Sequence, residues 1–109
     1  MSGITTHVLD TALGKPAVGI GVRLEKFEED SWLLLAESAT DADGRCRNLA
    51  SEASPGLYRL TFSTGAYFRD QRRSSIYPEI NIAFECSGES HFHIPLLLSD
   101  NSYTTYRGS

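Results

Sequence analysis

Apolar and polar side chains alternate along most of this chain, in short runs separated by turn-forming residues. Over residues 4–9, Ile4, Thr6 and Val8 fall on one face and Thr5, His7 and Leu9 on the other. A period of two belongs to an extended strand. Gly14-Lys15-Pro16 breaks that run. Residues 19–27 set Ile20, Val22 and Leu24 against Gly21, Arg23 and Glu25. The polar cluster Glu28-Glu29-Asp30-Ser31 then predicts a hairpin turn, with residues 32–40 as the return strand. Asp41-Ala42-Asp43-Gly44 predicts a second turn, its glycine suited to positive φ. After Ser54-Pro55-Gly56, residues 57–63 alternate again, with Tyr58, Leu60 and Phe62 on one side. The rhythm fails over residues 65–76, where Arg69, Asp70, Gln71, Arg72 and Arg73 tolerate one or two helical turns. Three more strands are expected over residues 80–86, 91–98 and 102–107, with links at Ser87-Gly88-Glu89 and Asp100-Asn101. Seven or eight short strands, one short helix and a turn about every ten residues predict an all-β fold, an antiparallel β-sandwich. Proline cannot donate to a sheet ladder, so Pro95 puts its strand at an edge or marks a local break.

Length and charge narrow the possibilities. The 109 residues fit one domain, 1–109, with a modest core and no deep private pocket. A site shared with a second copy of the chain is therefore expected. Ten Lys and Arg against fourteen Asp and Glu give a net charge of −4, which argues against a nucleic-acid partner. Cys46 and Cys86 form no C-x-x-C pair and read as two reduced thiols. The N-terminus shows no basic and apolar leader, and the apolar runs are far shorter than the roughly 18 residues of a membrane helix. The expectation is a cytoplasmic protein with no membrane partner.

Candidate chemistry is concentrated in a few places. All three histidines, His7, His91 and His93, fall in predicted strands, and a strand points His91 and His93 to the same face. Three imidazoles can hold a zinc ion with one open position, but ordinary half-buried histidines are the more economical reading. Arg45 follows the Asp43-Gly44 turn, and its planar fork of donors suits an oxygen-rich substrate or an oxyanion. The chain ends on Tyr103-Thr104-Thr105-Tyr106-Arg107-Gly108-Ser109, more aromatic and basic than a solvating tail needs. Arg69, Arg72 and Arg73 read as a solvated helix face, and Cys46 as an inert thiol. No phosphate-binding glycine loop and no G-x-S-x-G nucleophile motif is present.

Four stretches together resemble the transthyretin-like family, and within it the 5-hydroxyisourate hydrolases. They are Thr5-Thr6-His7-Val8-Leu9-Asp10-Thr11, the segment 40–46 with its Asp-Gly-Arg, Tyr77-Pro78-Glu79-Ile80, and His91-Phe92-His93-Ile94-Pro95-Leu96-Leu97-Leu98-Ser99. The ending Tyr106-Arg107-Gly108-Ser109 is similar to that subfamily's signature tetrapeptide. The hormone-carrying transthyretins lack this ending and lack a histidine at the His7 position. The resemblance implies a sandwich of two four-stranded sheets with a short helix, assembled as a homotetramer. It also implies cofactor-free, metal-free opening of the cyclic amide of 5-hydroxyisourate, at grooves between subunits. By position it assigns catalysis to His7, Arg45 and His93. It draws Tyr106, Arg107 and Ser109 into substrate binding and leaves His91 a structural role. Phe92, where tyrosine is common, and Asp100-Asn101-Ser102, where a proline turn is common, depart from the family pattern without touching the reacting groups. Amide hydrolysis needs a base for the water, and an imidazole suits that work at neutral pH. The residues leave open which of His7 and His93 takes it, with a slight lean to His7.

Overall fold

The computed structural model describes residues 3–87 and 91–108. Nine strands and one helix follow in order: β1 (Ile4–Asp10), β2 (Lys15–Pro16), β3 (Gly21–Glu28), β4 (Ser31–Ala39), β5 (Arg45–Ala50), β6 (Gly56–Phe62), α1 (Thr64–Asp70), β7 (Ile80–Cys86), β8 (Phe92–Ser99) and β9 (Ser102–Thr105). One sheet runs β4-β3-β6-β7, antiparallel throughout. In the other, β1 lies beside β8 and β8 beside β9, while β2 and β5 share the remaining flank of β1. The two-residue β2 makes this sheet five-stranded rather than four. The β1–β8 pair is parallel, so the sandwich is not wholly antiparallel. No turn could join such a pair, and the chain crosses to the second sheet and back between them.

The alternation of β1 sets the layers. Ile4, Thr6, Val8 and Asp10 are buried, and Thr5, His7 and Leu9 are half-exposed. Phe92, Ile94, Leu96 and Leu98 of β8 join them on the inner face, opposite Leu24, Tyr58, Leu60 and Phe62 of the second sheet. Burying each such apolar side chain contributes about 1.5–3 kcal/mol. The odd-numbered positions of β1 are thereby turned outward, and the site forms there.

Several local features differ from the sequence pattern for physical reasons. The hairpin between β3 and β4 turns on Glu29 and Asp30, both at positive φ (51° and 66°). That is the backbone a two-residue hairpin loop needs, here without glycine. A register shift at Leu24/Glu25 disturbs the alternation of edge strand β4, leaving Leu33, Leu34 and Leu35 about half exposed (51%, 48% and 45%). Pro95 lies not at an edge but in β8, between β1 and β9. The break does occur. Pairing with β9 stops after Leu96–Thr105 and resumes at His93–Gly108, skipping the position where Pro95 has no N–H to give. Thr105 donates its hydroxyl to the Pro95 carbonyl at 2.8 Å instead. Strand β5 was not evident from its mostly polar sequence. Among the described residues, no helix is long and apolar enough to cross a membrane.

The helix begins earlier than the charged run suggests, and that run is not a uniformly solvated face. Arg69 and Arg72 are exposed, whereas Arg73 is mostly buried. Arg72 adopts φ 56°, and the next two amides close the helix end, Arg72 N–H on Arg69 O (3.0 Å) and Arg73 N–H on Phe68 O (2.9 Å). This reversal sends Arg73 back to β1. Its Nη1 donates to Asp10 Oδ2 at 2.6 Å and its Nη2 to Asp100 Oδ1 at 2.5 Å. Tyr67 Oη donates to Asp10 Oδ2 at 2.8 Å, and the Leu13 amide to Oδ1 at 3.1 Å. Burial pushes the Asp10 carboxyl up, but the bonds from Arg73, Tyr67 and Leu13 outweigh it and hold the carboxyl below its ordinary value.

Asp10 is fully buried, so Arg73→Met strands a carboxylate without its partner and is expected to cost about 3–5 kcal/mol in urea unfolding. A loss under about 1 kcal/mol would show that the pair is not holding the helix to β1. Because the folded carboxyl ionises at lower pH than the unfolded one, its contribution is complete above 3.8 and is lost as pH falls through the folded value. Acid unfolding of the wild type should therefore steepen below that pH, and the variant should lack this component.

Candidate active site

Three strands bring the chemistry together on the outward face of the five-stranded sheet. Antiparallel pairing of β1 with β5 sets His7 opposite Arg45. Parallel pairing of β1 with β8 sets Thr5 opposite His93 and His7 opposite Pro95. Tyr106 of the tail passes Pro95 where the β9 ladder is broken. These residues, with Arg47, His91, Leu97 and Gly108, line a cleft of about 500 Å³. His7, Arg45, His93 and Tyr106 thus meet although they are remote in sequence.

The Asp41–Gly44 turn fixes the first of these pairs. The Asp41 carboxylate accepts the amides of Arg45 (3.0 Å) and Asp43 (2.8 Å), and the bond from Arg45 is the main reason its carboxyl lies below the usual range. Gly44 has φ 77°, and a Cβ there would come within 2.4 Å of the Val8 carbonyl, so the turn admits only glycine. His7 Nε2 lies 2.9 Å from the Asp43 carbonyl. A carbonyl only accepts, so Nε2 carries the proton, and in the neutral ring Nδ1 keeps the lone pair.

His93 is held differently. Its Nδ1 lies 2.8 Å from Thr5 Oγ1, and the Gly108 amide donates to its carbonyl at 2.8 Å. A Cβ on Gly108 would approach the His93 ring to 2.6 Å, so the tail packs against the imidazole through a glycine. Burial, then the charge of Arg45, then His7 and His91, push the His93 pKa down, against a hydrogen bond with Thr5 that acts the other way. These influences favour the neutral ring, the form able to accept a proton.

Not every expected residue converges. Arg107 lies on the sheet's other face, its guanidinium 4.0 Å from the Phe92 ring centroid, and is not among the cleft-lining side chains. Ser109 falls outside the described residues. Thr5, Arg47 and His91 line the cleft but were not expected in the site. The period of two already placed Thr5 on His7's face, whereas Arg47 needed the unrecognised strand β5. Among the described residues, no three His, Cys, Asp or Glu side chains converge as a metal centre requires. Cys46 and Cys86 are buried and form no disulfide, and burial pushes both thiols up, which makes them poor nucleophiles.

A family profile described as "HIUase/Transthyretin family" matches residues 4–108. The chain belongs to the HIUase/Transthyretin family. Within it, the chain is 47% identical to the 5-hydroxyisourate hydrolase of Mus musculus, over 99% of this chain and 96% of that protein. It is 45% identical to the 5-hydroxyisourate hydrolase of Caulobacter vibrioides, over the full length of both. Among solved structures, the Klebsiella pneumoniae 5-hydroxyisourate hydrolase superposes with a TM-score of 0.90 at 38% identity, covering all of both chains. Transthyretin from Sparus aurata superposes with a TM-score of 0.92 at 31% identity, over 96% of this chain and 95% of that one. The same sandwich is thus shared with proteins named 5-hydroxyisourate hydrolase and with proteins named transthyretin, at nearly equal TM-scores.

The electrostatics of His93 make a measurable prediction. In an NMR titration its ring should protonate below the ordinary 6.5, and Arg45→Gln should move that midpoint upward by removing a nearby positive charge. A midpoint at or above 6.5 in the wild type would contradict the site as described.

Proposed function

We propose that this protein hydrolyses 5-hydroxyisourate, opening its cyclic amide to give 2-oxo-4-hydroxy-4-carboxy-5-ureidoimidazoline, a step of urate breakdown. The observation that carries this reading is the meeting of His7, Arg45 and His93 in one cleft, on adjacent strands held in register. The names of its full-length relatives point the same way. Ring opening by water needs a base, a stabiliser for the carbonyl oxygen as it gains charge, and a proton for the departing nitrogen. His93, rather than His7, is assigned the base, because burial and Arg45 favour its neutral form. Arg45 offers fixed, always-charged donors to the oxyanion. His7, anchored through Nε2–H, orients the water with its Nδ1 lone pair. Tyr106 of the tail, which lines the cleft, adds to the binding surface for a flat, polar heterocycle.

The whole chain, residues 1–109, acts as one domain in a homotetramer, a dimer of dimers. Placement of the cleft on an outward sheet face, where a second copy can cover it, supports the assembly. Two free, buried thiols fit a cytoplasmic setting. Light scattering should give a mass four times that of the 12.0 kDa chain, and a monomeric active enzyme would overturn the shared site.

The decisive assay follows the ultraviolet spectrum of freshly generated 5-hydroxyisourate. The substrate decays unaided, so the expected result is acceleration with one product enantiomer in excess. His7→Ala, Arg45→Ala and His93→Ala should each lower kcat by about 10²- to 10⁴-fold with the fold retained. Full activity in His93→Ala would overturn the proposed site. Chelators should leave the rate unchanged, and a loss would favour the three-histidine zinc alternative.

A further inference from the structure

One hydroxyl touches two imidazoles. Thr5 Oγ1 lies 2.9 Å from His91 Nε2 and 2.8 Å from His93 Nδ1. The parallel register of β1 and β8 sets Thr5 directly opposite His93, and a two-residue spacing along the chain brings His91 to the same side. His91 is exposed, whereas His93 is half-buried. A hydroxyl owns a single proton, so it donates to only one of the two rings and accepts from the other when that ring carries a proton there. The protonation state of one ring therefore dictates the tautomer of the other. When His91 is neutral with its proton on Nδ1, Thr5 donates to His91 and accepts from His93 Nδ1–H, leaving His93 Nε2 as a free base. When His91 is an imidazolium, Thr5 must accept from it and donate to His93 Nδ1, and His93 then presents Nε2–H.

We propose that Thr5 and His91 form a proton relay behind His93, in which His91 stores the proton between water attack and C–N cleavage. The proposal rests on the hydrolase reading above. As His93 Nε2 takes a proton from the attacking water, the His93 Nδ1–H bond breaks and that proton passes to Thr5 Oγ1. The hydroxyl's own proton passes to His91 Nε2. His93 ends neutral, Thr5 keeps one proton and His91 becomes the imidazolium. When the ring C–N bond breaks, His93 Nε2–H protonates the departing nitrogen. Its Nδ1 then regains a proton from Thr5, which regains one from His91. One water is consumed, its hydroxyl going to the carbonyl carbon and its proton to the nitrogen, and all three side chains return to their starting states.

The surroundings favour this arrangement. Among the described residues, the charged or titratable groups lining the cleft with His93 are His7 from β1, Arg45, Cys46 and Arg47 from β5, His91 just before its own strand, and Tyr106 from the tail. Among the described residues none of these is a carboxylate, so a positive charge stored on His93 would face other positive or neutral groups there. On His91 the same charge meets water. Thr5 and His91 are thus positioning and relay residues, and His93 remains the group that meets the substrate.

The test has two independent arms. In the first, without substrate, ¹⁵N NMR follows the His93 tautomer as His91 is titrated. In the wild type, protonation of His91 should convert His93 from the Nδ1–H to the Nε2–H form; Thr5→Val should abolish this coupling and Thr5→Ser should keep it. A His93 tautomer indifferent to His91 in the wild type overturns the relay. In the second arm, Thr5→Val and His91→Ala should lower kcat about tenfold or more with KM changed less than about twofold, and Thr5→Ser should restore it. Added imidazole should speed His91→Ala but not Thr5→Val, and the acid limb of the wild-type rate should move in both variants. Wild-type kcat in His91→Ala across pH 6–9 overturns the proposal. A wild type that fails to accelerate decay of 5-hydroxyisourate sinks the hydrolase reading instead, while the NMR arm still decides whether the two rings are coupled.

Discussion

Strand β1 carries two incompatible requirements on alternate residues, and most of the structure follows from meeting both. Its even positions, with Ile4, lie in the core, while Thr5, His7 and Leu9 face the cleft. The strand is flanked on both sides, by β8 in parallel and by β5 and β2 antiparallel, so its register is specified twice. A slip of one residue would bury His7 and expose Val8, moving the whole apolar set to the wrong face. The energy that holds the fold thus also aims the candidate chemistry, and the site needs no separate scaffold.

The two ends of β1 are tied by different means. At one end Asp10 collects Arg73, Tyr67 and the Leu13 amide, linking the strand to the helix and to the turn at Asp100. A carboxylate buried this completely survives because every available lone pair is used. Toward the other end, Thr5 joins β1 to His93 of β8 and to His91 just before it. Between them, the Gly44 turn pins Arg45 opposite His7 through the Asp41 carboxylate. Even the interruption at Pro95 has a use: where the β9 ladder lapses, Tyr106 reaches the cleft, and Gly108 then re-pairs against His93.

A sandwich that superposes equally well on a hydrolase and on a transthyretin says nothing by itself about catalysis. The candidate chemistry lies on one sheet face. Among the described residues it displays imidazoles and guanidinium groups with no Asp or Glu on the cleft lining, a setting that favours the neutral form of His93 and suits oxyanions. Small size explains the location. A core this narrow has no room for an internal pocket, so the polar work is done on an outer face.

Much was legible in the residues alone. The period of two, together with the turn signals between runs, located seven of the nine strands, because a strand with one buried face tends to alternate. The turns at Glu29-Asp30 and Asp43-Gly44 were marked by their polar and glycine content. The histidines, Arg45 and the unusual tail stood out as chemistry. Strand β5 escaped because its few apolar residues follow no clear alternation, and with it went Arg47. Arg73 looked like its exposed neighbours Arg69 and Arg72, since nothing local announces that a left-handed residue at the helix end turns it toward a carboxylate 63 residues earlier. Local pattern determined which residues face inward along each strand, because that choice depends only on the alternation of adjacent side chains. Which strands became neighbours, that β1 and β8 run parallel, and that one threonine hydroxyl spans two histidines were decided by the tertiary structure. Those are relations between segments far apart in the chain, settled only when both sheets close over a shared core.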